Sequence, residues 1–124
     1  LRRVREARKT GFLKGILWHQ GEGNSQEPGS YLEKLKVLIA DLRKDLDQEN
    51  LPFVAGQLFY HPKTKPITKA INKEIARLLE VVPNTGYVSS EGLTTFDNTH
   101  FDVPSTLVFG ERYALEMLKL QGEN

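Results

Sequence analysis

Phe12-Leu13-Lys14-Gly15-Ile16-Leu17-Trp18-His19 runs straight into Gln20-Gly21-Glu22-Gly23-Asn24-Ser25, and the fold turns on how these two pieces are read. In the first, Leu13, Ile16, Leu17 and Trp18 form a compact apolar run suited to a buried strand over residues 12–19. In the second, two glycines leave the backbone open to close approach, while Gln20, Glu22 and Asn24 put polar groups at a strand end. Pro28 and Gly29 complete that loop.

Working outward, residues 2–10 read as the end of a helix closed by Gly11. Downstream, Ser30-Tyr31-Leu32-Glu33 fits a capping box. Leu32, Leu35, Leu38, Ile39, Leu42 and Leu46 then recur at steps of three and four, one apolar helix stripe. Residues 51–60, with Phe53, Val54, Leu58 and Phe59, predict a second strand. After Pro66 a helix carries Ile67, Ile71, Ile75, Leu78 and Leu79 on one face, and Tyr87-Val88-Ser89 is a short third strand. A last helix follows Asp102-Val103-Pro104 and is expected to bury Leu107, Val108, Ala114, Met117 and Leu118. Helices alternating with strands predict an α/β fold, a parallel sheet covered on both faces. Ligands of such sheets sit at the carboxyl ends of the strands. The loops after residues 12–19 and 87–89 are therefore where function is expected.

Composition narrows the classes. The 124 residues make about one small domain, 39% apolar and 27% charged, with a formal net charge of +1. Such a balance creates no strong field toward nucleic acid or an anionic membrane. Basic residues crowd the first nine positions (Arg2, Arg3, Arg5, Arg8, Lys9), most simply as a solvated helix face. Without cysteine there is neither a disulfide framework nor a thiolate metal site, and three scattered histidines do not make a zinc site. No apolar run approaches the roughly 20 residues that span a bilayer. The chain starts at Leu1 with no signal-peptide pattern, so it reads as a piece of a longer product whose compartment is open.

The second loop reads Thr94-Thr95-Phe96-Asp97-Asn98-Thr99-His100-Phe101-Asp102. An aspartate three residues before a histidine in a turn can hold one ring nitrogen protonated and leave the other free as a base. A helix cap or a surface pair explains the same spacing. Asp102 competes as the orienting carboxylate, but its place before Pro104 suits a helix N-cap. His19 is expected on the sheet face opposite Trp18 as a satisfied core group. Glu22 is either a buried carboxylate bonded to loop amides or, paired with Asp97, half of a glycosidase site.

Four segments occur in order: Gly-Ile-Leu-Trp-His-Gln-Gly-Glu at 15–22, Leu-Pro-Phe-Val-x-Gly-Gln-Leu at 51–58, Val-Ser-Ser-x-Gly-Leu at 88–93 and Asp-x-x-His-Phe-Asp at 97–102. Together they resemble the SGNH (GDS-type) hydrolase superfamily, and within it the sialate O-acetylesterase and acetylxylan esterase branch, carbohydrate esterase family six. The likeness runs from about residue 6 to residue 118. It implies a three-layer α/β/α, flavodoxin-like sandwich, with residues 1–124 as the C-terminal part of one domain lacking its first strands. It also implies removal of O-acetyl groups from an acetylated carbohydrate, with no metal or other cofactor.

By that resemblance Asp97 and His100 serve an attacking serine, Gln20 donates to the oxyanion, and Gly21 and Glu22 shape the same bend. His61 is a candidate for the sugar pocket. The family often has Ser or Thr after Gln-Gly-Glu, where this chain has Gly23. None of Ser25, Ser30, Ser89, Ser90 and Ser105 stands in a nucleophile motif. The nucleophile is therefore expected in an upstream segment or a companion chain, and the fragment alone is expected to be inactive. A sheet without its first strands also leaves an unpaired edge and an uncovered helix face, which favours association. A non-catalytic sugar-binding or assembly module of the same fold is the rival reading.

Overall fold

A computed structural model describes residues 1–122. Three parallel strands, β1 (Ile16–Trp18), β2 (Phe53–Gly56) and β3 (Thr85–Val88), lie in the order β1-β2-β3. Ile16 is in register with Phe53, and Phe53 with Thr85. All four residues of β2 are buried, as expected of a strand paired on both edges and covered on both faces. Alternation along it divides the core. Phe53 and Ala55 pack with Tyr31, Leu35, Ile39, Ile71, Ile75 and Leu78 on one side, while Val54 meets Val88, Leu93, Phe109 and Tyr113 on the other.

The first side is covered by α2 (Tyr31–Asp45), α3 (Thr68–Ala76) and α4 (Leu78–Val81), the second by α5 (Val103–Leu120). This is the expected three-layer α/β/α arrangement. The strands are shorter than the apolar runs that predict them, because Leu13, Leu51 and Leu58 lie outside the hydrogen-bonded ladder. The helix expected after Pro66 is two helices meeting at Arg77, and the break turns Leu79 to solvent. Ile67, 39% exposed, precedes the first of them.

Two expectations are corrected. The capping box does not form: a 3₁₀ turn, Pro28–Ser30, runs into α2, so Ser30 already has helical backbone angles. Its hydroxyl donates to Glu27 O, and Glu33 binds Lys36 instead. In α5 the buried residues are Ser105, Phe109 and Tyr113, whereas Leu107, Val108, Ala114 and Leu118 are exposed and Met117 is half-buried. The two aromatic rings are what the sheet requires, since Gly56 leaves a gap that Tyr113 fills. A Cβ at residue 56 would collide with the Tyr113 ring.

The basic N-terminal helix α1 (Arg2–Ala7) is only partly a solvated face. Arg8, just beyond it, donates to Leu46 O at 2.7 Å, a cation at the negative end of α2. Arg43 does more. Its buried guanidinium donates to Leu51 O at 2.9 Å and 3.1 Å, to Pro83 O at 2.9 Å and to Asn84 O at 3.1 Å. One side chain thus ties the last turns of α2 to the entrances of β2 and β3.

Arg43→Ala leaves three buried or half-buried carbonyls without that donor. The expected loss is about 2–4 kcal/mol of unfolding free energy, read by urea denaturation against the parent chain.

Candidate active site

The carboxyl ends of β1 and β3 release the two loops singled out above. After β1 the chain turns sharply at Gly21, whose φ of 144° only glycine adopts without strain. The turn is also crowded, since a Cβ would come within 3.1 Å of Ile71 Cδ1. Two tyrosines from opposite layers fix the segment. Tyr113 of α5 donates to Trp18 O at 2.6 Å, and Tyr31 of α2 donates to Gln20 O at 2.7 Å. Burial pushes both hydroxyl pKa values up, so both remain donors at any physiological pH.

The second loop is a narrow hairpin. Phe96 N donates to His100 O, Asp102 N donates to Thr94 O, and Asp102 caps α5 by accepting from Ser105 N at 2.9 Å. At its tip Asp97 Oδ1 accepts from His100 N at 2.7 Å and from Thr99 N at 3.0 Å, while Oδ2 lies 2.6 Å from His100 Nδ1. These bonds to the charged form, led by the imidazole, hold the Asp97 carboxyl down at about 2. An ionised carboxylate only accepts, so Nδ1 carries the proton and the neutral ring keeps its lone pair on Nε2.

The tip is anchored at a distance. Asn98, in the left-handed region at φ 65°, donates to Thr64 O at 2.8 Å and accepts from Thr64 Oγ1 at 2.7 Å. Lys65 Nζ donates to Thr99 Oγ1 at 2.8 Å. His61 belongs to this anchor: its Nδ1 accepts from Lys63 N and Thr64 N, closing the turn that holds the loop. Nothing in the spacing of residues 61–65 predicts that role.

His100 lines a cavity of about 420 Å³ together with His19, Glu22, Thr99, Phe109 and Tyr113. His19 is not a core group. Its side chain is 38% exposed, with its ring 5.9 Å from Phe101 and 5.5 Å from Phe109. Burial lowers its pKa more than the Glu22 carboxylate, 3.9 Å away, raises it. Glu22, 42% exposed at the side chain, accepts no loop amide and faces His19 in the cavity.

Gln20 lies elsewhere. Its amide donates to Asn24 Oδ1 at 2.9 Å, in a separate hollow lined by Trp18, Tyr31 and Leu38. No serine lines the His100 cavity among the described residues. Ser25, Ser30 and Ser90 donate to the carbonyls of Gly21, Glu27 and Leu58, Ser105 accepts from Thr94 N, and Ser89 from Glu91 N. Among the described residues no three carboxylate or imidazole groups gather as metal ligands.

A family model described as carbohydrate esterase, sialic acid-specific acetylesterase, matches residues 1–119. The X-ray structure of a protein from Arabidopsis thaliana superposes with a TM-score of 0.83 at 26% identity, over 95% of this chain and 50% of that one. The chain thus spans about half the length of that relative.

The Asp97 carboxyl is expected to titrate at about 2 in the folded chain, against 3.8 unperturbed. Because the folded value is the lower one, the contact adds stability above pH 3.8 that is lost as pH falls through about 2. Carboxyl carbon shifts followed by NMR should give that midpoint, and His100→Ala should move it up toward 3.8.

Proposed function

Because the chain belongs to the family of carbohydrate esterases described as sialic acid-specific acetylesterases, we propose that it supplies the base half of a serine esterase that removes O-acetyl groups from sugars. The observation that carries this reading is the Asp97–His100 contact at 2.6 Å beside a cavity at the strand tips, in which the carboxylate engages Nδ1 and leaves the other ring nitrogen, Nε2, outside that contact. That arrangement suits proton transfer from a hydroxyl nucleophile.

In this mechanism a serine Oγ attacks the acetyl carbonyl carbon while its proton passes to His100 Nε2. Asp97 holds the ring and stabilises the imidazolium. The ester C–O bond then breaks, the proton goes to the departing sugar oxygen, and acetyl remains on the serine. Water repeats the sequence and releases acetate. The attacking serine comes from a segment outside these 124 residues, because every serine described here is engaged with backbone and none lines the cavity. The outer edge of β1 and the exposed Leu17, Leu107 and Leu115 are the surface on which that segment, as an upstream stretch or a companion chain, would pack.

Gly21 and Glu22 bring the first bend to the reacting centre, whereas the Gln20 amide, bonded to Asn24 in the hollow beside Trp18, would donate to the oxyanion only if the bend moved it across to the His100 cavity. The substrates in view are acetylated sialic acids or acetylated xylan. A glycosidase built on Glu22 and Asp97 is disfavoured, since both Asp97 oxygens are already engaged by the His100 ring and two backbone amides.

His100→Ala, in a chain that includes the nucleophile, is expected to abolish acetate release from acetylated sugars, by roughly a millionfold if the residues act as a unit. Asp97→Asn should also lose most activity through the wrong tautomer, while near-parental turnover in either variant would reject the assignment.

A further inference from the structure

A second, larger cleft of about 1090 Å³ opens at the carboxyl ends of β2 and β3, and none of the assigned residues lines it. The short turn Glu22–Asn24 stands between the two hollows: Glu22 lines the His100 cavity, while Ser25 and Gln26 line the cleft. The two hollows thus meet successive residues of one turn, Glu22 on one side and Ser25 and Gln26 on the other. At about 1090 Å³ the cleft is slightly above the roughly 300–1,000 Å³ typical of small-molecule pockets, which leaves room for more than one sugar ring.

Its lining suits a saccharide. Tyr60 and Tyr87 both line it, and Tyr60, 36% exposed, is the ring available to stack on the apolar face of a pyranose. Gln57 donates to Asn72 O and keeps its Oε1 free as an acceptor; Ser89 accepts from Glu91 N and keeps its proton to donate. The charge is more telling. Lys69 and Lys73 stand one turn apart on α3 and both line the cleft. Neither is ion-paired among the described residues, whereas Lys9, Lys36, Arg77 and Lys119 are paired with carboxylates. Glu91 is the one carboxylate in the lining, against two ammonium groups. Unpaired ammonium groups at a concave surface favour an anionic ligand.

We propose that this cleft binds the carrier of the acetyl ester, an oligosaccharide bearing carboxylate or sulfate groups, with Lys69 and Lys73 as its anion contacts and Tyr60 as its stacking platform. The ester reacts at His100 while the cleft reads the chain that carries it. This rests on the esterase reading for its connection to catalysis, but binding at the cleft can be measured without the reaction.

Titration with tetragalacturonate should show binding that xylotetraose does not match. Lys69→Glu with Lys73→Glu should weaken the acidic ligand roughly tenfold, as two lost ion contacts would. Tyr60→Ala should weaken both ligands. Both lysines are exposed, and if the charge reversal perturbs folding, the Lys→Gln pair makes the same test. Equal binding of the two sugars, or no loss in the lysine variants, would overturn the proposal. So would a fall in kcat/KM for a small aryl acetate in those variants, because it would put the lysines at the reacting centre. The rates are read in a chain that includes the nucleophile; inactivity of that chain toward the aryl acetate counts against the esterase reading alone, and the titration then decides the cleft.

Discussion

Everything in this molecule is arranged around four residues, Phe53–Gly56, that water does not reach. A strand paired in parallel on both edges needs connections that cross over the sheet, and those connections become the covering helices. The alternation of Phe53 and Ala55 against Val54 and Gly56 assigns each layer its half of the core. Gly56 makes room for Tyr113, and Tyr113 reaches past it to the carbonyl of Trp18. The central strand thereby determines where the next strand ends and where the loop that follows it begins.

The catalytic candidates inherit their order from that framework by two routes. The bend after β1 is held from both sides by tyrosine hydroxyls, so its backbone is clamped between layers. The hairpin carrying Asp97 and His100 has little core of its own: Phe96 and His100 are exposed and stack on each other. It is pinned by side chains instead, through Asn98 and Thr99 to the turn at residues 61–65. An exposed catalytic group can be well placed when its turn is tied to a neighbouring element.

This division explains the contrast between the two hollows. The His100 cavity is the smaller of the two and is walled by Phe109 and Tyr113 of α5. The wider cleft lies on the other side of the Glu22–Asn24 turn and is lined by α3 and the end of β3. The two hollows are thus walled by helices from opposite layers of one sheet.

Periodicity and local chemistry along the chain were enough for the α/β class, the parallel strands, the Asp102 cap and the three-residue step from Asp97 to His100. Each of these depends on residues within a turn or two of one another, so the chain order itself carries the information. What only the tertiary structure decided involves partners far apart in sequence. Apolar spacing in α5 does not say which stripe meets the sheet, because the answer lies in the gap at Gly56, about fifty residues earlier. Gln20 and Glu22 are two residues apart yet serve different hollows, because the chain bends at Gly21 between them, and His19 joins His100 across 81 positions. Local spacing specifies the groups; packing of the layers selects which of them meet.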